Sequence, residues 1–169
     1  MRPDVVTQPA FQLRDFRPAD FQTIWRIDQN CFQPGIAYSQ EELAWYMTRR
    51  SAFTIVAEAC ATSATAGFIV AHHVRRRDGR RFGHIITIDV LPKARRSGLG
   101  SRLLRAAEER LLQAGCEAVT LETAVDNAPA IAFYERHGYS AVRTLPRYYQ
   151  GELDALRMER HLGELPRAQ

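Results

Sequence analysis

The sequence has little cysteine, almost no lysine and no long apolar run. Its three cysteines, Cys31, Cys60 and Cys116, are far apart and form no CxxC pair, which excludes a disulfide framework and a zinc site of the usual spacing. No apolar segment approaches the ~18 residues of a membrane-spanning helix. The N-terminal segment lacks the apolar core of a signal peptide. We therefore predict a cytoplasmic protein with no membrane partner and no metal.

The composition is otherwise that of an ordinary globular protein, with 46% hydrophobic and 25% charged residues in a chain of 169. Lys93 is the single lysine, so arginine carries almost all of the basic charge behind the formal net charge of +4. A charge of this size favours anionic partners without requiring them, and we predict no direct nucleic-acid binding. A chain of this length buries roughly 70% of its unfolded surface. This predicts one domain at residues 11–162, a flexible leader at 1–10 and a C-terminal tail at 163–169, in a monomer or a homodimer.

Hydrophobic periodicity predicts an α/β protein built on a mixed sheet. Alternating or β-rich segments predict strands at residues 11–16, 53–59, 67–74, 84–90, 118–123, 141–145 and 155–162. Helical spacing predicts four helices, which begin near Asp20, Ser39, Gly98 and Asn127, and an S-x-x-E capping box opens the second of them. The order β-α-α-β-β-β-α-β-α-β-β indicates a central sheet flanked by about four helices.

The most informative segment follows the predicted strand that ends at Val90. It reads LPKARRSGLG over residues 91–100, a basic turn and then Gly98 and Gly100 at the start of a long helix. Glycine has no Cβ, so an anion can approach the backbone closely. The first amides of a helix have no intrahelical partner and lie at the positive end of its dipole, which predicts a phosphate or diphosphate site. Leu103 replaces the third glycine of a dinucleotide-binding fingerprint, and a P-loop Gly-Lys-Ser/Thr is absent, which argues against NAD and Walker-type nucleotides.

Two segments resemble the motifs of a known family. Residues 95–100, RRSGLG, resemble the R/Q-x-x-G-x-G/A acetyl-CoA loop of the GCN5-related N-acetyltransferases, the GNAT superfamily. Residues 127–139, NAPAIAFYERHGY, resemble the N-x-x-A-x-x-x-Y-x-x-x-G-F/Y helix of the same family. The resemblance covers roughly residues 11–162 and implies the GNAT fold, in which two parallel strands, here 84–90 and 118–123, splay apart around acetyl-CoA. We therefore predict acetyl-CoA as the cosubstrate.

The resemblance also implies how acetyl-CoA is held. The amides of residues 96–100 would bind its diphosphate, and the backbone of Ile88 and Val90 would bind its pantetheine arm. The residues implied in cofactor binding are Ile88, Val90, Arg95, Arg96, Ser97, Gly98, Leu99, Gly100, Asn127 and Tyr134.

Acetyl transfer to an amine requires a neutral amine, a stabilised oxyanion and protonation of the departing thiolate. Tyr134 stands seven residues after Asn127, so both lie on one face of a predicted helix. A tyrosine hydroxyl, with a pKa of about 10, is a weak but usable acid for the CoA sulfur. The alternative is that Tyr134 is an aromatic core residue beside Phe133.

Two residues compete for the role of general base. Glu122 lies at the end of an otherwise apolar strand, where desolvation would raise its pKa toward that of a useful base. It precedes Tyr134 by 12 residues, a spacing that resembles the base and acid of the ribosomal-protein alanine N-acetyltransferase (RimI-type) subfamily. His84, at the start of the neighbouring strand, is the competing base because related N-terminal acetyltransferases place a catalytic tyrosine there. His72 and His73 point to opposite faces of a strand and cannot both enter one site.

The acid–base chemistry of amines favours an N-terminal α-amine as the acceptor. At pH 7 an α-amine with a pKa of about 7.8 is neutral in about 10–15% of molecules, and a lysine with a pKa of about 10.4 in about 0.04%. Residues 147–155, RYYQGELDA, resemble the R-x-Y-Y-x-x-G-E-D-A segment of N-terminal acetyltransferases, although Leu153 separates the Glu-Asp pair. The resemblance implies that Tyr148 and Tyr149, which we place in a loop, bind the acceptor.

A second acceptor segment is the loop after the first helix, residues 31–38, CFQPGIAY. This loop helps form the acceptor groove in the family, which implies Phe32 and Tyr38 in substrate binding, although the Pro-Trp usual in RimI-type proteins is absent. We therefore predict an acetyl-CoA-dependent N-acetyltransferase that acts on the N-terminus of a protein or peptide, ribosomal proteins included. The alternatives are acetylation of a small-molecule amine or a lysine side chain, and a non-catalytic module that binds acetyl-CoA.

Overall fold

The computed structural model describes residues 10–163. The strands are β1 (Phe11–Asp15), β2 (Phe53–Ala59), β3 (Thr65–Arg75), β4 (Arg81–Val90), β5 (Cys116–Ala124), β6 (Ser140–Tyr149) and β7 (Leu153–His161). The helices are α1 (Phe21–Cys31), α2 (Gln40–Met47), α3 (Leu99–Gln113) and α4 (Ala128–Arg136), with short 3-10 turns at Pro18–Asp20 and Pro92–Ala94. Most of the predicted leader and tail, residues 1–9 and 164–169, lies outside the described residues.

All seven strands form one sheet in the order β1-β2-β3-β4-β5-β7-β6. Neighbouring strands are antiparallel, except that β4 and β5 are parallel. The β4–β5 pairing extends from Arg81 opposite Cys116 to His84 opposite Thr120 and then stops. The later residues of both strands line one cavity. The predicted mixed sheet, its splayed parallel strands and its four helices are therefore confirmed.

The core lies on both faces of this sheet. Successive residues of β3 alternate between the faces, as strand geometry requires, so that Ile69 packs in the cluster under α3 and Phe68 in the cluster under α1 and α2. The α3 cluster includes the fully buried Leu103, and the α1–α2 cluster includes Ile24. Helices therefore cover both faces of β3 and β4, and β4 is one of the two strands that line the cavity.

The helix ends follow the sequence signals. Ser39 and Glu42 form the predicted capping box, since Glu42 N donates to Ser39 Oγ at 3.1 Å and Ser39 N donates to a Glu42 carboxylate oxygen at 2.9 Å. Gly115 ends α3 with a φ of 82°, in the left-handed region that glycine adopts freely. Within residues 10–163 no helix combines the length and the apolar character needed to cross a bilayer.

The predicted loop around Tyr148 and Tyr149 is wrong, because both residues end strand β6. The β6–β7 ladder continues to Tyr149 opposite Leu153, after an irregularity in which Arg147 takes a positive φ of 53°. That irregularity interrupts the alternation on which the sequence prediction depends, so the strand looked shorter than it is. The connection itself is only the short turn that follows Tyr149.

Candidate active site

A cavity of about 660 Å³ opens where β4 and β5 diverge. Nearly every residue predicted from sequence to form the site lines it. These are His84, Ile88, Val90, Arg95, Arg96, Gly98, Leu99, Gly100, Glu122, Asn127 and Tyr134 on the predicted cofactor and catalytic side, with Phe32, Tyr38, Tyr148 and Tyr149 on the acceptor side. Ser97 is not among the lining residues, because its hydroxyl turns away to donate to the Ala94 carbonyl at 2.6 Å.

The segment before α3 has the geometry of an anion-binding loop. Arg96 and Gly98 both take left-handed backbone angles, with φ values of 60° and 79°. The amide of Arg102 makes the first bond of the helix, to the Gly98 carbonyl at 3.1 Å, so the earlier amides of α3 have no partner within the helix. Alternation of left-handed and other backbone conformations gathers such N–H groups into a concave anion-binding nest. The loop therefore fits the diphosphate of acetyl-CoA.

The wall formed by β4 continues this site toward the catalytic residues. Beyond His84 the edge of β4 faces the cavity instead of pairing with β5, so the backbone of Ile88 and Val90 lies along the cavity. The Val90 carbonyl accepts a hydrogen bond from Nε of Arg95 at 3.0 Å, which fixes that guanidinium beside the nest. The backbone groups of this edge that do not pair with β5 can bind the amide-containing pantetheine arm.

Tyr134 is packed in the core and also borders the cavity. Its ring packs in the core, with ring centroids 5.2 Å from Phe133 and 5.7 Å from Tyr139, and it is 8% exposed, yet it also lines the cavity. Burial, and secondarily the nearby Asp89, raises the pKa of Tyr134 above that of a free phenol. Within residues 10–163 its hydroxyl makes no hydrogen bond, so it is a protonated donor free to face a ligand. Asn127, on the same helix, caps α4 by accepting from Ala130 N at 3.2 Å.

The two rival bases form one hydrogen-bonded unit. Nε2 of His84 lies 2.5 Å from Oε2 of Glu122. The other oxygen of Glu122 accepts from Nε of Arg157 at 2.9 Å and lies 2.8 Å from its Nη2. Arg157 is directly opposite Glu122 in the β5–β7 ladder. Glu122 is thus held between two side chains that can be cationic.

The expected elevation of the Glu122 pKa is wrong. Burial does raise the pKa, but hydrogen bonds and charge from His84, and then from Arg157, lower it more, so the pKa lies below its ordinary value. The apolar character of the strand predicts only the effect of burial, whereas the side chains that lower this pKa lie on the neighbouring strands β4 and β7. Glu122 is consequently ionised at neutral pH.

Sequence reasoning missed two side chains of this polar cluster, Arg157 and His72. Nε2 of His72 lies 3.3 Å from Nδ1 of His84. Burial above all, and then the neighbouring His84, lowers the pKa of His72 to about 4. Both contacts depend on strand register, which no local pattern in the sequence specifies. A polar residue on an otherwise apolar strand was the one available signal.

The acceptor side of the cavity is aromatic. The Tyr38 hydroxyl donates to the Ile86 carbonyl at 3.3 Å, and its ring meets the Tyr46 ring edge-on at 5.3 Å. Tyr148 and Tyr149 pack against each other at 5.0 Å on the β6 side. Tyr46, on α2, was not predicted from sequence but lines the same cavity. Rings at these positions form a wall that can hold an extended acceptor.

A sequence model of the acetyltransferase (GNAT) family matches residues 21–139. The chain belongs to this family. It is 37% identical over 79 residues, 47% of its length, to human N-alpha-acetyltransferase 30, and 42% identical over 76 residues, 45% of its length, to a mycothiol acetyltransferase of Saccharomonospora viridis. The chain spans about a quarter of the length of these relatives, 22% and 25% respectively.

Solved structures agree with this assignment over most of the chain. Ard1 from Thermoplasma volcanium is 28% identical, with a TM-score of 0.78, and the match covers 90% of this chain and 97% of that one. The ribosomal-protein-S18-alanine N-acetyltransferase of Escherichia coli is 22% identical with a TM-score of 0.77, covers 94% and 98%, and shows the shared fold. The predicted family, and the enzyme class of N-acetyltransferase at the level of that family, are confirmed.

Proposed function

We propose that this chain transfers an acetyl group from acetyl-CoA to the N-terminal α-amine of a protein or peptide. One observation carries the proposal. The ionised Glu122, bonded to His84, and the protonated hydroxyl of Tyr134 line one cavity that the anion-binding loop also enters. The relatives and neighbours named as N-terminal acetyltransferases support this choice of acceptor.

The first requirement is to deprotonate the acceptor. An α-ammonium entering the cavity is attracted by the Glu122 carboxylate, and its proton passes to the Glu122–His84 pair, directly or through a water molecule. Because an α-amine has a pKa of about 7.8, a modest base is sufficient near neutral pH. A carboxylate with a lowered pKa, such as Glu122, is therefore a strong enough base for this acceptor.

The second requirement is to protonate the leaving group. The neutral amine attacks the thioester carbonyl, the carbon–nitrogen bond forms, and the nitrogen releases its second proton to solvent. The carbon–sulfur bond then breaks with its electron pair on sulfur. Tyr134 gives its hydroxyl proton to that sulfur and is then reprotonated from solvent. The raised pKa of Tyr134 keeps its hydroxyl protonated, so that it can hydrogen-bond to the developing thiolate and supply a proton as the carbon–sulfur bond breaks.

The aromatic wall sets the place of the acceptor chain. We assign Phe32, Tyr38, Tyr148 and Tyr149 to acceptor binding, with Tyr46 as an addition from the structure. A ribosomal protein is one acceptor of this class. The similarity to a mycothiol acetyltransferase favours, as the second candidate, a small free amine as acceptor.

The test is an acceptor panel analysed by mass spectrometry. It contains peptides that begin with Ala, Ser or Met, the same peptides blocked at the N-terminus and carrying an internal lysine, and free polyamines and amino sugars. We expect acetylation of the unblocked peptides at the α-amine. Acetylation of small amines with no peptide product would establish the second candidate. Binding of acetyl-CoA by calorimetry without transfer to any acceptor would point to a non-catalytic module.

A further inference from the structure

We propose that His72 is a positioning residue of this site, which fixes the ring orientation of His84 by pairing with its Nδ1, without itself touching the acceptor. The inference rests on the function proposed above, because it concerns the residue bonded to the candidate base. It adds a residue that sequence reasoning set aside.

The geometry places His72 directly behind His84. The two residues face each other across the β3–β4 ladder, with ring planes at 78° and ring centroids 5.4 Å apart. His84 lines the cavity, whereas His72 is not among the lining residues and is 4% exposed. His72 can therefore act on the reaction through His84.

The protons on the ring nitrogens of His84 and His72 determine what the contact between the two rings controls. An ionised carboxylate can only accept hydrogen bonds, so Nε2 of His84, 2.5 Å from Glu122, must carry a proton. The remaining nitrogen of His84, Nδ1, faces Nε2 of His72 at 3.3 Å, and one of these two atoms must donate while the other accepts. The protonation state of His84 Nδ1 is thus linked to the tautomer of His72.

His72 is suited to this role because it stays neutral. The charged and titratable groups near it are Arg49 before β2, His73 on β3 and His84 on β4, and each opposes a positive charge on His72. Glu122 and Arg157 lie on the far side of His84. A neutral imidazole donates in one tautomer and accepts in the other. His72 can therefore pair with Nδ1 of His84 whether or not that nitrogen carries a proton.

Burial alone does not explain the choice of residue. An apolar side chain would fill the position under the sheet, and a buried imidazole without a partner is destabilising. The partner that His72 has is the ring that contacts Glu122. Loss of His72 would leave Nδ1 of His84 unpaired and the ring free to flip, which would put Cε1 in the place of the Nε2 that faces the carboxylate.

The experiment compares His72→Leu, His72→Gln and the control His73→Gln. His73 is the next residue of β3, on the opposite face, and its backbone bonds to Ser51 do not involve its ring. We expect His72→Leu to lower kcat for a peptide acceptor by about tenfold or more, to leave the KM for acetyl-CoA unchanged and to shift the pH dependence of kcat. His72→Gln, whose amide can donate or accept, should recover most of kcat, and His73→Gln should match the wild type.

A second measurement does not depend on activity or on the stability of the variants. Ring nitrogen-15 spectra of the wild-type protein should show one N–H and one unprotonated nitrogen at the His72–His84 contact, and His72→Gln should move the His84 signals. Unprotonated nitrogens on both sides of that contact would overturn the proposal. So would a His72→Leu protein with the kcat, pH profile and His84 spectrum of the wild type.

The two proposals fail in distinguishable ways. Wild-type activity in both His84→Gln and Glu122→Gln would refute the proposed base, although the His72 effect on the His84 spectrum would persist. Loss of activity in those two variants, with no effect of His72→Leu on kcat or on the His84 spectrum, would refute the positioning role and leave the proposed function intact.

Discussion

Asp28 of α1 and Asp89 of β4 are neighbouring carboxyl groups in the protein interior, and the charge of Asp28 raises the pKa of Asp89. Their exposures are 0% and 1%, and Asp28 Oδ1 and Asp89 Oδ2 have no hydrogen-bond partner within residues 10–163. Two ionised carboxylates buried side by side would repel each other, which favours one proton shared by the pair. Burial first of all raises the pKa of Asp28 to about 6 and raises that of Asp89 well above its ordinary value. Asp28 also accepts from Tyr38 N at 2.8 Å, which ties the acceptor loop to α1.

This shared proton predicts how stability changes with pH. Both carboxyl groups have a higher pKa in the folded protein than in the unfolded chain, where it is about 3.9. The folded state therefore binds more protons, and stability falls as the pH rises from about 4 through the folded pKa values. Asp89→Asn should flatten this fall and raise the free energy of unfolding at pH 7.5 by about 1 kcal/mol, because a neutral amide at position 89 removes the repulsion of the Asp28 carboxylate at every pH.

Thermal denaturation from pH 4 to pH 8 measures this effect. The control is Glu109→Gln, which removes an exposed carboxylate on α3. An Asp89→Asn protein whose melting temperature falls with pH as steeply as that of the wild type would refute the shared proton.

Tyr134→Phe tests the general acid. We expect kcat to fall by about 10²–10⁴ while the KM for acetyl-CoA changes little, because the ring and its packing are kept and the proton donor is lost. Stability should be nearly unchanged, since the hydroxyl has no hydrogen bond within the described part of the chain.

The neighbouring Tyr139 offers the matched control for this substitution. Its hydroxyl donates to the buried Glu108 at 2.8 Å and it is not a lining residue of the cavity. Tyr139→Phe should lower the free energy of unfolding by about 1–3 kcal/mol and leave kcat within about twofold. Equal turnover in the two variants would contradict the acid role of Tyr134.

Glu122→Gln tests the base through the pH profile. The pKa of Glu122 is lowered in the folded protein, so the carboxylate and its ion pair persist above that pKa and are lost only as the pH falls through it. Any loss of kcat/KM on the acid side near neutrality must then come from a group other than Glu122, such as the acceptor amine.

The variant should therefore lower kcat by about 10²-fold across the pH range. The fall of kcat/KM on the acid side near neutrality, the near-neutral limb of the pH profile, should remain in place. Steady-state rates from pH 5 to pH 9 measure both quantities. Glu117→Gln, on the same strand but exposed and paired with Arg80, is the control and should behave as the wild type. Disappearance of the near-neutral limb in Glu122→Gln would assign that limb to Glu122 instead.

Gly98→Val tests the anion-binding loop. A Cβ at Gly98 would meet nothing within 4 Å, so the effect must come from the backbone angle, a φ of 79° that a β-branched residue strongly disfavours. We expect the KM for acetyl-CoA to rise by about tenfold or more as the nest is distorted.

Gly151 supplies the control for this loop. It also has a positive φ, 73°, and open space around a built Cβ, but it lies in the turn between β6 and β7. Gly151→Val should lower the melting temperature to a similar degree without changing the KM for acetyl-CoA. An unchanged KM in Gly98→Val, measured with the acceptor peptide saturating, would place the diphosphate elsewhere.

The parts of this protein that could be predicted from sequence are those encoded by neighbouring residues. The capping box at Ser39, the glycine that ends α3 and the loop before α3 are each specified within a few positions. Contacts between strands are different, because register depends on turns and bulges. A shift in the β3–β4 register between Val70 and Ala71 helps to set His72 opposite His84. Nothing in the local sequence pattern indicates this register shift. The Glu122 pKa was mispredicted for the same reason, since Arg157 reaches it from another strand.

The short β4–β5 ladder has a mechanical consequence. Strands β1 to β4 and strands β5 to β7 form two halves of the sheet. The backbone pairing between these halves extends only from Arg81 to His84 on the β4 side. Any molecule that bonds to both edges of the gap pulls the two halves of the sheet together. Binding in the gap therefore stabilises the sheet, so amide hydrogens on the facing edges of β4 and β5 should exchange more slowly once the gap is bridged.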